Sequence, residues 1–119
     1  MKFLMMIKHT EAAPGLEHPQ ALYEAMGKFV EESFKSGILK DTAGLKRTEH
    51  GWRISSKGGK LKRTDGPFAE SKEVVGGYAI VETRTKQEAE ALANQFMELH
   101  RIHVPDFECE WEVRPLEIM

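Results

Sequence analysis

Phe3-Leu4-Met5-Met6-Ile7 is an unbroken apolar run of strand length. Successive side chains of a strand point to opposite faces, so a run without a polar position is apolar on both faces and asks for cover on both. The other end of the chain has a different pattern. There Phe107, Cys109, Trp111 and Val113 alternate strictly with Glu108, Glu110, Glu112 and Arg114, the pattern of a strand with one buried and one wet face.

Between these strands the elements follow in a legible order. His9 to His18 carries Thr10, Pro14 and Gly15 and reads as a loop. Pro19 suits the first position of a helix, and Leu22, Met26, Phe29, Val30 and Phe34 recur as one apolar stripe. Gly37 suits a left-handed cap at its end. Ile38 to Leu45 fits a strand or a loop. Trp52 and Ile54 alternate with polar residues, and Leu61 lies beyond Gly58-Gly59, which together signal a hairpin. Asp65-Gly66-Pro67-Phe68 reads as a turn, and Gly77 to Thr83 as a strand with Tyr78 and Ile80 on one face. Thr85 and Glu88 form a capping box before a second helix, whose buried stripe is Ala89, Leu92, Ala93, Phe96 and Met97. The order is the split βαβ pattern of an α+β, ferredoxin-like fold with an inserted β-hairpin, in one domain over 1–119. Two helices cover one face of such a sheet. A second subunit packed on the other would complete a dimeric α+β barrel, so a homodimer is expected.

At 119 residues the chain can bury a core without staples. A net charge of −2 with mixed signs speaks against nucleic acid, and the basic cluster Lys57 to Arg63 reads as a solvated hairpin edge. The single cysteine, Cys109, allows no intramolecular disulfide and fits a reduced, cytoplasmic protein; it falls on the apolar face of its strand as an inert thiol. The N-terminal apolar run is too short to cross a membrane.

Several residues can carry chemistry. Asp65 either bonds the backbone of its own turn or sets a carboxylate at the mouth of a cleft. Lys72 can hold an anion as a point charge, with Glu70 and Glu73 beside it on the same loop. Tyr78 would lie on the cleft floor. His100 continues the stripe of the second helix, either bonded to a carbonyl or acting as a buried acid/base group. Glu112 offers a carboxylate and Arg114 a bidentate carboxylate-binding group, if their face lines the cleft. The catalytic candidates are therefore Asp65, His100 and Glu112, and the ligand-binding candidates Asp65, Lys72, Glu73, Tyr78 and Arg114. His100 and His103 lack a third ligand with matching spacing, so no metal site is expected, and no motif calls for a cofactor.

The run Asp65-Gly66-Pro67-Phe68-Ala69-Glu70-Ser71-Lys72-Glu73, followed by Gly76-Gly77-Tyr78, resembles the signature of the DGPF family within the YCII-related superfamily. Lys2-Phe3-Leu4-Met5, Met26-Gly27-Lys28-Phe29 before Glu31-Glu32, Gly44-Leu45 and the ending Glu110 to Pro115 fit the same pattern in the same order. The resemblance implies a ferredoxin-like subunit in a dimeric α+β barrel with a cleft between the sheets. It implies little about reaction. Such domains sometimes accompany extracytoplasmic-function sigma factors. Some relatives carry a proposed His–Asp acid/base pair with the His on the first helix. Here that part reads Ala25-Met26-Gly27, with no His between His18 and His50, so the pair does not carry over at this position.

Three functions stay open on the sequence. One is a module that binds a small polar or anionic metabolite in the cleft. A second is a small cofactor-independent enzyme doing acid/base chemistry there. The third is a dimerisation or interaction protein.

Overall fold

A computed structural model describes residues 1–11, 18–68 and 74–117. Six strands and two helices follow in the order β1 (Lys2–His9), α1 (Gln20–Lys35), β2 (Leu39–Gly44), β3 (Trp52–Lys57), β4 (Lys60–Asp65), β5 (Val74–Glu82), α2 (Lys86–His103) and β6 (Cys109–Pro115). A short 3-10 turn, Thr48–His50, precedes β3. Four strands form an antiparallel sheet in the order β2-β5-β1-β6, and β3 and β4 pair as a separate two-stranded ribbon. This α+β arrangement is compatible with a ferredoxin-like fold with an inserted hairpin. Among the described residues no helix is long and apolar enough to cross a membrane.

The ambiguous segment after α1 is a strand, and its start is covered: Leu39 is buried against Val81, its register partner on β5. Register also shows how β1 uses its two faces. Phe3 and Met5 lie buried opposite Val81 and Ala79 of β5 and face the core. Leu4 and Met6 pair with Ile80 and Tyr78 on the reverse face and are only half-buried. One face of the first strand is therefore covered within the chain and the other is not.

Local chemistry explains the helix ends. Pro19 sits just before α1 rather than at its first position, and its carbonyl accepts from the Leu22 N–H at 3.0 Å. Gly37 has φ +82°, the left-handed value expected of a residue past a helix end. At α2 the Thr85 hydroxyl accepts from the Glu88 N–H at 3.1 Å, while the Glu88 carboxylate turns back to the Arg84 N–H at 3.1 Å, one residue earlier than the usual box. One expectation fails: Phe34 is exposed, and Ser33 takes the buried position of the α1 stripe. The core spacing runs Phe29, Val30, Ser33, and the Ser33 hydroxyl donates to the Phe29 carbonyl at 2.8 Å, so a buried polar group costs little there.

The hairpin stands apart. Gly58 and Gly59 have φ +58° and +77°, as a two-residue hairpin turn with both central residues left-handed demands. Yet every residue of β3 and β4 is exposed. The base of the ribbon is held by a joint instead of a core. The Gly66 N–H donates to the Gly51 carbonyl at 3.0 Å, and a Cβ at Gly66 would collide with the Thr48 carbonyl. Thr48 donates its N–H and hydroxyl to the two Glu11 carboxylate oxygens at 2.9 and 2.7 Å, and its hydroxyl accepts from the Phe68 N–H at 3.2 Å. The Arg53 guanidinium lies 3.8 Å from the Phe68 ring centroid. Within the signature run, Gly66 and Phe68 therefore have structural work: they join the ribbon to the loop after β1.

Candidate functional site

Between the helices and the covered sheet face lies a cavity of about 320 Å³. That is within the range of small-molecule sites. Its origin is a contrast of side-chain size. The sheet contributes Gly44, Gly76, Gly77 and Ala79, whereas the helices and β6 contribute Phe29, Phe96 and Trp111. Small floor residues under large walls leave a gap that the remaining core does not fill: only seven apolar side chains are buried among the described residues.

Two buried groups give the cavity its polarity. His100, 4% exposed, lines it from α2, and Trp111 lines it from β6. The His100 Nδ1 lies 3.1 Å from the Phe96 carbonyl oxygen, which can only accept, so Nδ1 carries the proton and Nε2 is left as an acceptor in the neutral ring. Burial, offset in part by that bond, holds the imidazole pKa below its ordinary value, with His18 adding to the depression. The Trp111 Nε1–H is buried with no hydrogen-bond partner among the described residues. Phe96 stacks on Trp111 with centroids 4.4 Å apart and lies 4.9 Å from the His100 ring. A donor and an acceptor thus flank one aromatic ring.

Two of the lining hydroxyls are spent on backbone carbonyls. Thr42 donates to the Tyr78 carbonyl at 2.8 Å, as Ser33 does to Phe29. His9, His18 and Tyr23 also line the cavity, with Phe107 against the two imidazoles at 5.2 and 4.6 Å. Burial lowers the His18 pKa, and His9 lowers it further. A Cβ at Gly76 would strike the His9 ring, so that glycine makes room for the imidazole. No Asp, Glu, Lys or Arg belongs to the described lining.

The residues singled out in the sequence scatter. His100 is in the cavity, bonded to a carbonyl at its helix end. Tyr78 borders it through β5, but its hydroxyl donates to Asp41 at 2.9 Å, which raises the phenol pKa, and by register it shares the uncovered face with Asp41. Asp65 ends the ribbon, exposed and 3.0 Å from Arg63, and does not line the cavity. Glu112 pairs with Lys8 at 3.2 Å on the uncovered sheet face. Arg114 stands opposite Leu4 on that face, exposed. Glu70, Lys72 and Glu73 lie outside the described residues. The sequence reading placed Trp111 in a buried face without seeing its role. An indole on a half-buried strand gives no sign that its N–H will lack an acceptor.

The family model of the YCII-related domain matches residues 1–97. The chain belongs to the YCII-related domain family. The match runs from β1 into α2, so this YCII-related chain carries His100 and Trp111 beyond the matched span. The comparison with curated proteins gives no match.

Proposed function

We propose that this YCII-related chain binds a small uncharged molecule in the helix–sheet cavity. The observation that carries this is the buried Trp111 N–H, without an acceptor among the described residues. A buried donor left unpaired costs about 1–3 kcal/mol, which a bound acceptor oxygen would relieve. The neutral His100 Nε2 offers the complementary acceptor for a hydroxyl. A phenol or an aromatic alcohol meets both needs and fills the aromatic walls. The anionic ligand expected from Lys72 and Arg114 is disfavoured in this cavity, whose described lining has no Lys or Arg to pair with it.

The chain has two tryptophans, Trp52 on the ribbon and Trp111 in the cavity. A Trp52→Phe variant therefore leaves an emission signal from the cavity alone. Titration with p-cresol and 2-phenylethanol should change that signal to saturation. Ala79→Leu, which fills the floor, should abolish binding, and Trp111→Phe, followed by calorimetry, should weaken it by about 0.5–1.5 kcal/mol. Binding that survives Ala79→Leu unchanged in a folded variant places the ligand elsewhere, and no binding by either probe defeats the proposed ligand class.

We also infer a homodimer closed through the uncovered sheet face, and membership of the DGPF branch from the nine-residue run. Leu4, Met6 and Ile80 supply apolar area on that face. Two of its polar pairs, Lys8 with Glu112 and Tyr78 with Asp41, would enter an interface already partnered. Sedimentation at micromolar concentration should report twice the chain mass; a persistent monomer removes the dimer.

A further inference from the structure

We propose that the β3–β4 ribbon is an arm that adds to the β6 edge of a second copy of this chain. The ribbon cannot rest on its own pairing, since an isolated two-stranded ribbon is marginal in water. Trp52, Ile54 and Leu61 share one of its faces and are 59, 64 and 77% exposed. The molecule is correspondingly flat and wide, 45 × 40 × 19 Å, with a radius of gyration of 16.1 Å where a compact chain of this length would have about 13.5 Å.

The opposite face of the ribbon carries Lys57, Lys60 and Lys62. Residues 52–65 hold five basic side chains and one acidic, a net of +4. β6 is the matching surface. Among the described residues it is an edge strand, paired only with β1, and residues 106–117 hold five acidic side chains and one basic, a net of −4. Among the described residues, no ion pair joins the two surfaces within one chain.

The match holds face by face. Along β6, Cys109, Trp111 and Val113 point to the helix side, and Glu110 and Glu112 to the other. Along β4, Leu61 shares its side with Arg63 and Asp65, which pair with each other at 3.0 Å, and Lys60 and Lys62 lie on the basic side. Strand addition in register therefore continues the apolar face with Leu61 and Ile54 while setting lysines beside glutamates. Two copies doing this reciprocally close the assembly, as a symmetric pair requires.

This rests on the homodimer proposed above, and the test separates the two. Lys60→Glu/Lys62→Glu and Glu108→Lys/Glu110→Lys are made as double variants and sedimented alone and mixed. Each alone should dimerise roughly tenfold or more weakly than the parent, and the equimolar mixture should recover parental affinity, because every arm then meets an edge of opposite charge. A parent that stays monomeric overturns both the dimer and the arm. A parental dimer indifferent to both reversals keeps the dimer and overturns the arm, leaving the ribbon to another partner. Weakening without recovery in the mixture also overturns the arm.

Discussion

The β6 strand of the four-stranded sheet and the ribbon are built alike: both lie in antiparallel pairs, and both set apolar side chains between charged or polar ones. In β6 the alternation ends in cover, with Trp111 and Val113 half-buried against the core. In the ribbon the same alternation leaves Leu61 the most exposed of the large apolar residues. The sheet is covered because βα connections carry α1 and α2 back across it. The ribbon is joined by a two-residue turn and by Gly66, which bring no element over it. Alternation thus says which residues share a face, and connectivity says whether that face is covered.

The largest expected break in this comparison comes from truncating one residue of each region. Met5→Ala should cost about 2–5 kcal/mol in urea unfolding, since it leaves a cavity in a small core. Leu61→Ala, measured at a concentration where the chain is monomeric, should change stability by about 0.5 kcal/mol or less. Equal losses would mean that the ribbon is covered within the chain.

Glycines sharpen the same point at the joint. Gly66→Ala drives a methyl into the Thr48 carbonyl and should cost about 1–3 kcal/mol, with faster amide exchange in β3 and β4 than in β1. Gly44→Ala meets nothing within 4 Å and should be close to neutral. A neutral Gly66→Ala would remove the joint.

A smaller effect comes from pH and belongs to the sheet side alone. Burial holds the His100 and His18 pKa values below 6.5 in the folded chain. As pH falls below that value the unfolded chain binds protons that the folded chain refuses, so stability is complete above about 6.5 and declines as pH approaches the folded values. Urea midpoints at pH 7.5 and 5.5 should show the decline, and His100→Gln should reduce it. An unchanged slope in that variant would assign the loss to other groups.

The smallest change is in reactivity rather than stability. Burial raises the Cys109 thiol pKa, so a disulfide reagent at pH 7.5 should label it roughly tenfold or more slowly than a cysteine placed by Leu61→Cys in a Cys109→Ser background. Comparable rates would mean that β6 opens freely.

Short-range chemistry was enough to read both helices, the Gly58-Gly59 turn, the capping box and every strand but β2 from the sequence alone, Ile38 to Leu45 having stayed open between strand and loop. Each depends on residues within a few positions of one another, as Thr85 with Glu88 or Gly58 with Gly59. The face assignment of β6 was equally legible, because a period of two is local. The tertiary structure decided the rest. Phe34 and Ser33 exchanged burial because the angle at which α1 meets the sheet selects the stripe. Phe107 left the strand it seemed to open and joined the cavity wall. The cavity itself arises where small residues of β2 and β5 pass beneath large ones of α1, α2 and β6, a pairing of distant segments. The same holds for the Trp111 N–H, unpaired among the described residues: whether an indole donor finds a partner depends on the distant segments folded around it.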